Sequence, residues 1–391
     1  MRQIKLATKK NILVFIDWFW PGYLAGGPVQ SIISLVNYLG ADVNFKIVTT
    51  NKDLNSNDPY PGIETNKWIV SPTGCEVYYC DVAVLDSNAI KKIVDETKFD
   101  KVYINSFFSK KFSILPLQIL NKYYKNTEVI LAPRGMLGDG ALAIKKFKKK
   151  AFLLYSKLTG LHARVTWHAT SAQEEDEIQR NFSPKTKIFK ISNLPKKLNS
   201  TRVKIKEKGK LNLCFISRIS EKKNLIYALH ILLGIRKQEI RYNIYGPLED
   251  QSYWEKCEQV ISDMPSNIQV VHKGSVNPKD IESVLADEHM MFLPTQNENF
   301  GHSIVESLLC GCPVIISDQT PWNDLQAHNA GFAIPLNDKQ KFVEAITECA
   351  TLDQEEFSSR SQNAINYISK KIDLELITSQ YKILFNEATK N

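Results

Sequence analysis

Short runs of apolar, β-branched and aromatic residues alternate along this chain with stretches whose apolar positions recur every three or four residues. NILVFID opens the series; a helical pattern over 31–39 follows, then FKIVTT, EVYYCDVAVL, KVYINSFF, EVILAPRG and ARVTWHATS. Runs of this length and composition predict buried strands, and the periodic stretches predict helices. Such alternation builds a parallel sheet covered by helices on both faces. The pattern breaks around 188–210, where 191–210 read ISNLPKKLNSTRVKIKEKGK, polar, basic and carrying a proline. It then restarts with LNLCFIS, a helix over 224–233, YNIYG, a helix over 254–261, IQVVHKGSV, a helix over 281–285, MMFLPT, a helix over 303–309 and PVIISD. The expectation is an α/β chain of two doubly wound domains in tandem, 1–195 and 210–365, joined by a linker at 196–209. Ligands of such sheets bind at the carboxyl ends of the strands, here in a cleft between the two. The segment 357–388 reads as helical, and 366–391 is expected to pack back on the first domain.

Length supports two domains, since 391 residues is about twice the usual domain size. The net charge of +8 is unevenly shared: 29 Lys and Arg face 17 Asp and Glu in residues 1–200, against 21 and 25 in residues 201–391. The basic half should therefore meet something anionic. Nucleic acid is not expected, because the chain has no zinc-finger spacing, RNP-type aromatic strand or basic recognition helix. The densest patch is AIKKFKKKAFLLYSK, where Lys145, Lys146, Lys148, Lys149 and Lys150 alternate with apolar residues. It suits a helix on an acidic membrane surface, and equally a solvated face beside a core stripe. The amino terminus has a basic start and an apolar run, but Asp17 interrupts the run and no small-residue cleavage site follows. A buried first strand is expected there, and no stretch approaches the roughly 18 apolar residues of a membrane span. Seven cysteines, an odd number without zinc spacing, read as reduced buried thiols of a cytoplasmic protein.

Several strand ends in the second half carry groups suited to a nucleotide diphosphate. Arg218 follows the LNLCFIS strand and Lys223 lies five residues on; guanidinium can grip phosphate in a fork and ammonium adds a compact charge. Gly246 in NIYGPLED permits close backbone approach, and Lys273 in VVHKGSV could lie along a base. NENFGHSIVESLLCGCPVI, residues 297–315, completes the set. Backbone N–H groups from Gly301 through Ser303 and Ile304 open a helix whose dipole favours phosphate. Two carboxylates, Glu298 and Glu306, flank the glycine with seven residues between them, free to accept hydrogen bonds from sugar hydroxyls. Ser303 and Glu306 also spell a capping box, S-x-x-E, which would make Glu306 structural. Glu298 has no comparable local task.

ENFGHSIVE followed by LLCGCPVIISD resembles the E-x7-E signature of the retaining, nucleotide-sugar-dependent glycosyltransferases of GT-B type, family 4. The likeness extends to GGPVQSI, APRGML, HATSAQEEDEI, SRISEKKN and TPWNDL. The resemblance implies two Rossmann-like domains facing a cleft. It implies that Arg218 and Lys223 hold the donor diphosphate, that Glu306 takes the ribose hydroxyls and that Glu298 takes the transferred sugar. Main-chain groups of Asn299, Phe300 and Gly301 would lie beside that sugar. Gly26 and Gly27 would let the first domain approach the donor, and Arg134 would contact phosphate or acceptor. Many relatives carry a histidine where Asn105 stands here; an amide orients a hydroxyl but takes no proton as imidazole does.

With no D-x-D in the chain, Arg218, Lys223 and a helix amino terminus are expected to neutralise the leaving group without a metal. No cofactor is implied beyond the nucleotide-diphosphate sugar as co-substrate. The implied acceptor is a saccharide, lipid-linked, in assembly of capsule, O-antigen or exopolysaccharide, at the inner face of the cell membrane. Two rivals stay open: a nucleotide-sugar epimerase of the same architecture, which needs no acceptor, and a non-catalytic sugar-binding module. A dinucleotide oxidoreductase is disfavoured because no G-x-G-x-x-G follows a strand.

Overall fold

The computed structural model describes residues 9–143, 145–198 and 203–386. It resolves into two compact units, Met1–Leu194 with Leu374–Asn391, and Pro195–Asp373. The first unit holds an eight-stranded sheet: β1 (Lys10–Phe15), β2 (Val43–Thr50), β3 (Trp68–Val70), β4 (Glu76–Cys80), β5 (Lys101–Ile104), β6 (Glu128–Leu131), β7 (Val165–Ala169) and β8 (Ile188–Lys190). Its spatial order is β3-β4-β2-β1-β5-β6-β7-β8, parallel throughout except for the β3–β4 pair. The second unit holds six parallel strands, β9 (Lys210–Ile216), β10 (Glu239–Tyr245), β11 (Ile268–Gly274), β12 (Met290–Leu293), β13 (Val314–Ser317) and β14 (Gly331–Ile334), in the order β11-β10-β9-β12-β13-β14.

Helices cover both faces of such sheets, so central strands are buried on both sides and read as unbroken apolar runs. Ile12, Leu13, Val14 and Phe15 are fully buried, as are Met290, Met291, Phe292 and Leu293. In each sheet the strand order reverses once, between β1 and β5 and between β9 and β12. Loops leaving two such strands in opposite directions open a crevice at their carboxyl ends, which is where α/β sheets hold ligands. Asp17 and Asn105 follow the first pair; Arg218 and Glu298 follow the second.

Three expectations need correction. The 196–209 stretch, expected as a linker, falls within the second unit, Pro195–Asp373. Lys204 and Lys206 are buried, and their ammonium groups donate to backbone carbonyls at the ends of helices Ile281–Ala286 and Lys339–Thr351. Cations at helix carboxyl ends satisfy orphan carbonyls and the dipole together. Residues 199–202 lie outside the described residues. The carboxy-terminal helix is two helices, Gln354–Lys371 in the second unit and Leu374–Asn386 in the first, so the division falls near 373 rather than 365. No glycine or proline marks that break; Ile372 simply turns extended. The Leu374–Asn386 helix packs Phe385 edge-on against Phe45 and Tyr103, and Lys101 donates to the Leu384 carbonyl. Finally, the helix expected over 303–309 begins at His302 with Gly301 as its N-cap. Ser303 therefore lies inside the first turn, and the S-x-x-E capping box does not form.

All seven cysteines are buried and free. No described helix is long and apolar enough to cross a membrane.

Candidate functional site

In the second unit the β9 and β12 loops converge. The SRISEKKN loop makes a short 3-10 turn, Glu221–Lys223, closed by Asn224 in the left-handed region at φ 62°. Asn224 donates to the Pro294 carbonyl at 3.0 Å, and the Gln296 amide donates to the Lys222 carbonyl at 2.9 Å. Those bonds lock the β9 loop to the β12 loop, and Lys223 forms an ion pair with Glu298. Both side chains are largely buried, 12% and 13% exposed. Arg218 pairs instead with Glu249 of the GPLED segment, at 2.7 Å and about one-third exposed. Each expected phosphate-binding cation is thus held by a carboxylate that an incoming anion would have to displace.

The Gln296–Gly301 stretch is itself braced. The Glu298 amide donates to the Gln319 carbonyl at 2.9 Å, and the Trp322 indole donates to the Phe300 carbonyl at 2.7 Å. Trp322 is the tryptophan of TPWNDL, so that segment acts as a prop under Asn299 and Phe300. Gly301 adopts φ 73°, and a Cβ there would come within 2.9 Å of Ile304. No side chain caps the helix that follows, and a helix start of this kind favours an anion. The Asn299 amide nitrogen is buried without a partner among the described residues. Glu306 sits one turn into the helix; burial pushes its carboxyl up to about 7, with Lys196 opposing the rise. Gly246 does allow a close approach, but to protein: a Cβ there would lie 1.8 Å from the Ser217 carbonyl oxygen. Lys273 is exposed at the end of β11.

The first unit answers with a different construction. Arg134, in the left-handed region at φ 55°, donates to Asn105 Oδ1 at 2.5 Å, to Asn193 Oδ1 at 2.6 Å and to the Tyr103 hydroxyl at 2.8 Å. The Tyr103 hydroxyl lies 2.8 Å from His168 Nδ1, and His168 Nε2 lies 2.9 Å from the Ile191 carbonyl oxygen. A carbonyl only accepts, so Nε2 carries the proton and Nδ1 accepts from Tyr103. Burial, reinforced by the Arg134 charge, holds His168 neutral with a pKa of about 3. His168 is thus a fixed link that carries no charge. The Asn105 amide nitrogen is buried and unpartnered among the described residues. That nitrogen is a donor a ligand oxygen could use.

Sequence reading passed over three groups. Asp17, directly after β1, accepts from Ser109 at 2.6 Å, and burial raises its pKa. Glu174, fully buried, accepts from the Gly135 amide at 2.5 Å and from Thr170 twice at 2.7 Å, fixing the turn that presents Arg134. Asp53 accepts from the amides of Tyr23 and Leu24, bracing the loop before Gly26 and Gly27. The signal for Asp17 was legible, a carboxylate ending an apolar run. The partners of Glu174 and Asp53 are distant in sequence or on the main chain, where composition carries no trace.

Residues 197–370 match the family model for glycosyl transferases group 1. An uncharacterized 41.2 kDa protein in the cps region of Klebsiella pneumoniae is 24% identical over 274 residues, 66% of this chain and 71% of that protein. A putative colanic acid biosynthesis glycosyltransferase of Salmonella typhimurium, WcaL, is 22% identical over 180 residues, 44% of this chain and 43% of its own. Among solved structures, Anabaena HepE in complex with UDP-glucose superposes with a TM-score of 0.69 at 16% identity, over 95% of this chain and 98% of that one. The α/β fold expected from the sequence, of GT-B type, is the one observed.

Proposed function

We propose that this chain, whose residues 197–370 match the family model for glycosyl transferases group 1, moves a sugar, with retained anomeric configuration and without a metal, from a nucleotide-diphosphate sugar to a saccharide hydroxyl. The observation that carries this is the Lys223–Glu298 pair at the β9–β12 switch point, beside an uncapped helix amino terminus. A diphosphate entering there exchanges with Glu298 for Lys223 and draws Arg218 from Glu249. Released from the ammonium, Glu298 accepts from hydroxyls of the transferred sugar. Glu306, one helix turn away, meets the ribose.

In the reaction the bond between the anomeric carbon and the diphosphate oxygen breaks as the acceptor oxygen bonds to that carbon from the same face. The acceptor proton passes to the departing phosphate. Charge building on the diphosphate is stabilised by Arg218, Lys223 and the helix N–H groups, donors already in position. Asn105 orients a hydroxyl through its free amide nitrogen. It cannot serve as a base.

The setting we assign is cell-surface polysaccharide assembly on a lipid-linked acceptor, at the cytoplasmic membrane face. The cps-region and colanic acid relatives support it. So does the Lys146–Thr159 helix, where Phe147 is 88% exposed among lysines. Lys149 differs from the others, being half-buried with its ammonium over the Phe108 ring. Incubation with a panel of nucleotide sugars and saccharide acceptors in excess chelator tests the reaction. Nucleotide release with retained configuration, read by NMR, is expected; inversion, or activity restored only by magnesium or manganese, overturns it.

A further inference from the structure

The first unit gathers a second concentration of charge at the other end of its sheet from Asn105 and Arg134. A cavity of ≈ 1070 Å³ runs along the amino ends of β5, β6, β7 and β8. Adjacent strands lie about 4.8 Å apart, so this row spans roughly 15 Å. Its wall contains two acids, and both are engaged: Asp100 by Lys10 at 3.3 Å and Glu128 by Lys101 at 2.9 Å. Five more cations line it, all exposed: Lys125, Lys157, Arg164, Lys185 and Lys187. Among the described residues the first four make no side-chain hydrogen bond or ion pair, and Lys187 lies only over the Phe189 ring. The neighbouring sequence withholds counter-charge as well, since residues 140–173 contain seven Lys and Arg and no Asp or Glu. Like charges crowded on one concave edge repel one another unless an anion joins them.

A second observation points the same way. His162, 5% exposed, forms part of the wall, stacked between Phe107 and Trp167 with its Nδ1 2.5 Å from Ser156 Oγ. Its Nε2 is buried without a partner among the described residues. Buried polar atoms are nearly always hydrogen-bonded, so one left over beside a cationic cavity suits a ligand oxygen.

We propose that this cavity is a second anion site, remote from the transfer chemistry, that takes a phosphate-bearing ligand. The phosphate could belong to a lipid headgroup or to a soluble compound, and the adjoining helix supplies the means to tell. On Lys146–Thr159, Phe147, Ala151, Leu154 and Leu158 recur at one helical face, with Phe147, Leu154 and Leu158 at 88%, 58% and 78% exposure. Leu158 directly follows Lys157 of the cavity wall, so an acyl chain on this stripe would carry its phosphate to the cations. A soluble phosphate would ignore the stripe.

The test uses the full chain, inorganic pyrophosphate, and vesicles with or without anionic phospholipid, with amide hydrogen exchange to locate binding. Both the wild type and an Arg218→Ala, Lys223→Ala background should show protection at residues 157–165 and 183–188. Replacing Lys125, Arg164 and Lys185 together with alanine should weaken binding on the order of 100-fold, about fivefold per cation. Loss of vesicle binding by Phe147→Ser, Leu154→Ser and Leu158→Ser, with pyrophosphate binding intact, assigns the lipid source. Pyrophosphate binding with no affinity for anionic vesicles assigns the soluble one. If the triple cation variant binds pyrophosphate and anionic vesicles as the wild type does, or protection never appears at those edges, the site does not exist. The readouts are binding and hydrogen exchange rather than turnover, and the Arg218→Ala, Lys223→Ala background removes the proposed donor site, so failure here and failure of the proposed function are told apart.

Discussion

Arg134 in the first unit and Lys223 in the second each lie in a loop at the carboxyl end of a sheet, yet they are held in opposite ways. Arg134 rests on three neutral acceptors, Asn105, Asn193 and Tyr103, in a buried network that ends on a backbone carbonyl. Lys223 rests on one carboxylate, Glu298. A neutral network keeps its shape whatever binds nearby, and its cation retains its full charge. An ion pair is an exchangeable contact: under the proposed function a diphosphate replaces the carboxylate, and the freed carboxylate meets hydroxyls. On that proposal the first unit orients and the second responds to its ligand.

The largest effect should come from breaking the responsive side. Lys223→Ala is expected to lower kcat by about 10²–10³, as loss of one preorganised donor to a developing oxyanion does, and to lower the melting temperature as well by leaving the largely buried Glu298 without its partner. Steady-state kinetics beside a melting curve reads both outcomes, and a variant with kcat within twofold of wild type would sink the assignment.

On the orienting side the effect is expected chiefly in stability. Arg134→Ala leaves buried acceptors on Asn105, Asn193 and Tyr103 unsatisfied, so it should cost roughly 3 kcal/mol of stability. Denaturant unfolding reads this directly, and an unchanged midpoint would mean the network is not holding the loop.

Arg218 tests the comparison more gently, since its pair with Glu249 is partly exposed and worth about 1 kcal/mol at most. Glu249→Gln should free the guanidinium and tighten nucleoside-diphosphate binding by less than tenfold, whereas looser binding would show that Glu249 holds Arg218 in its productive place.

A further effect concerns pH. Burial raises the carboxyls of Glu288 and Glu306 to about 7 from 4.5. The folded state holds these protons between pH 4.5 and 7 while the unfolded chain releases them, so their contribution to stability falls as pH climbs through that window and is fully lost above 7. Glu288, bonded to Asn243 and Tyr245 away from the donor loops, allows a clean check. Glu288→Gln should flatten the slope of unfolding free energy by on the order of 1–3 kcal/mol across those pH values. An unchanged slope would remove Glu288 from this account.

Much of this was legible in the chain because the relevant signals are local. Alternating apolar runs and periodic stretches located both sheets, and loops after β9 and β12 carried their charges in short quotable segments. The switch points were not legible, since strand order is a property of pairing rather than of any one segment. The misread lysines have a similar cause: Lys204 and Lys206 are basic residues in a polar stretch, and nothing nearby reveals that helix carboxyl ends from far along the chain will meet them. Ser303 and Glu306 mislead for a subtler reason. Their spacing fits a capping box, but Gly301 starts the helix two residues earlier than that box requires.

Calorimetric titration of UDP, GDP and ADP in turn, using whichever the wild type binds tightest, tests the central claim most directly when run on wild type, Lys223→Ala and Arg134→Ala at one pH and ionic strength. Affinity about 100-fold weaker in Lys223→Ala but within a fewfold of wild type in folded Arg134→Ala is the predicted result. Equal affinity in wild type and Lys223→Ala would contradict it.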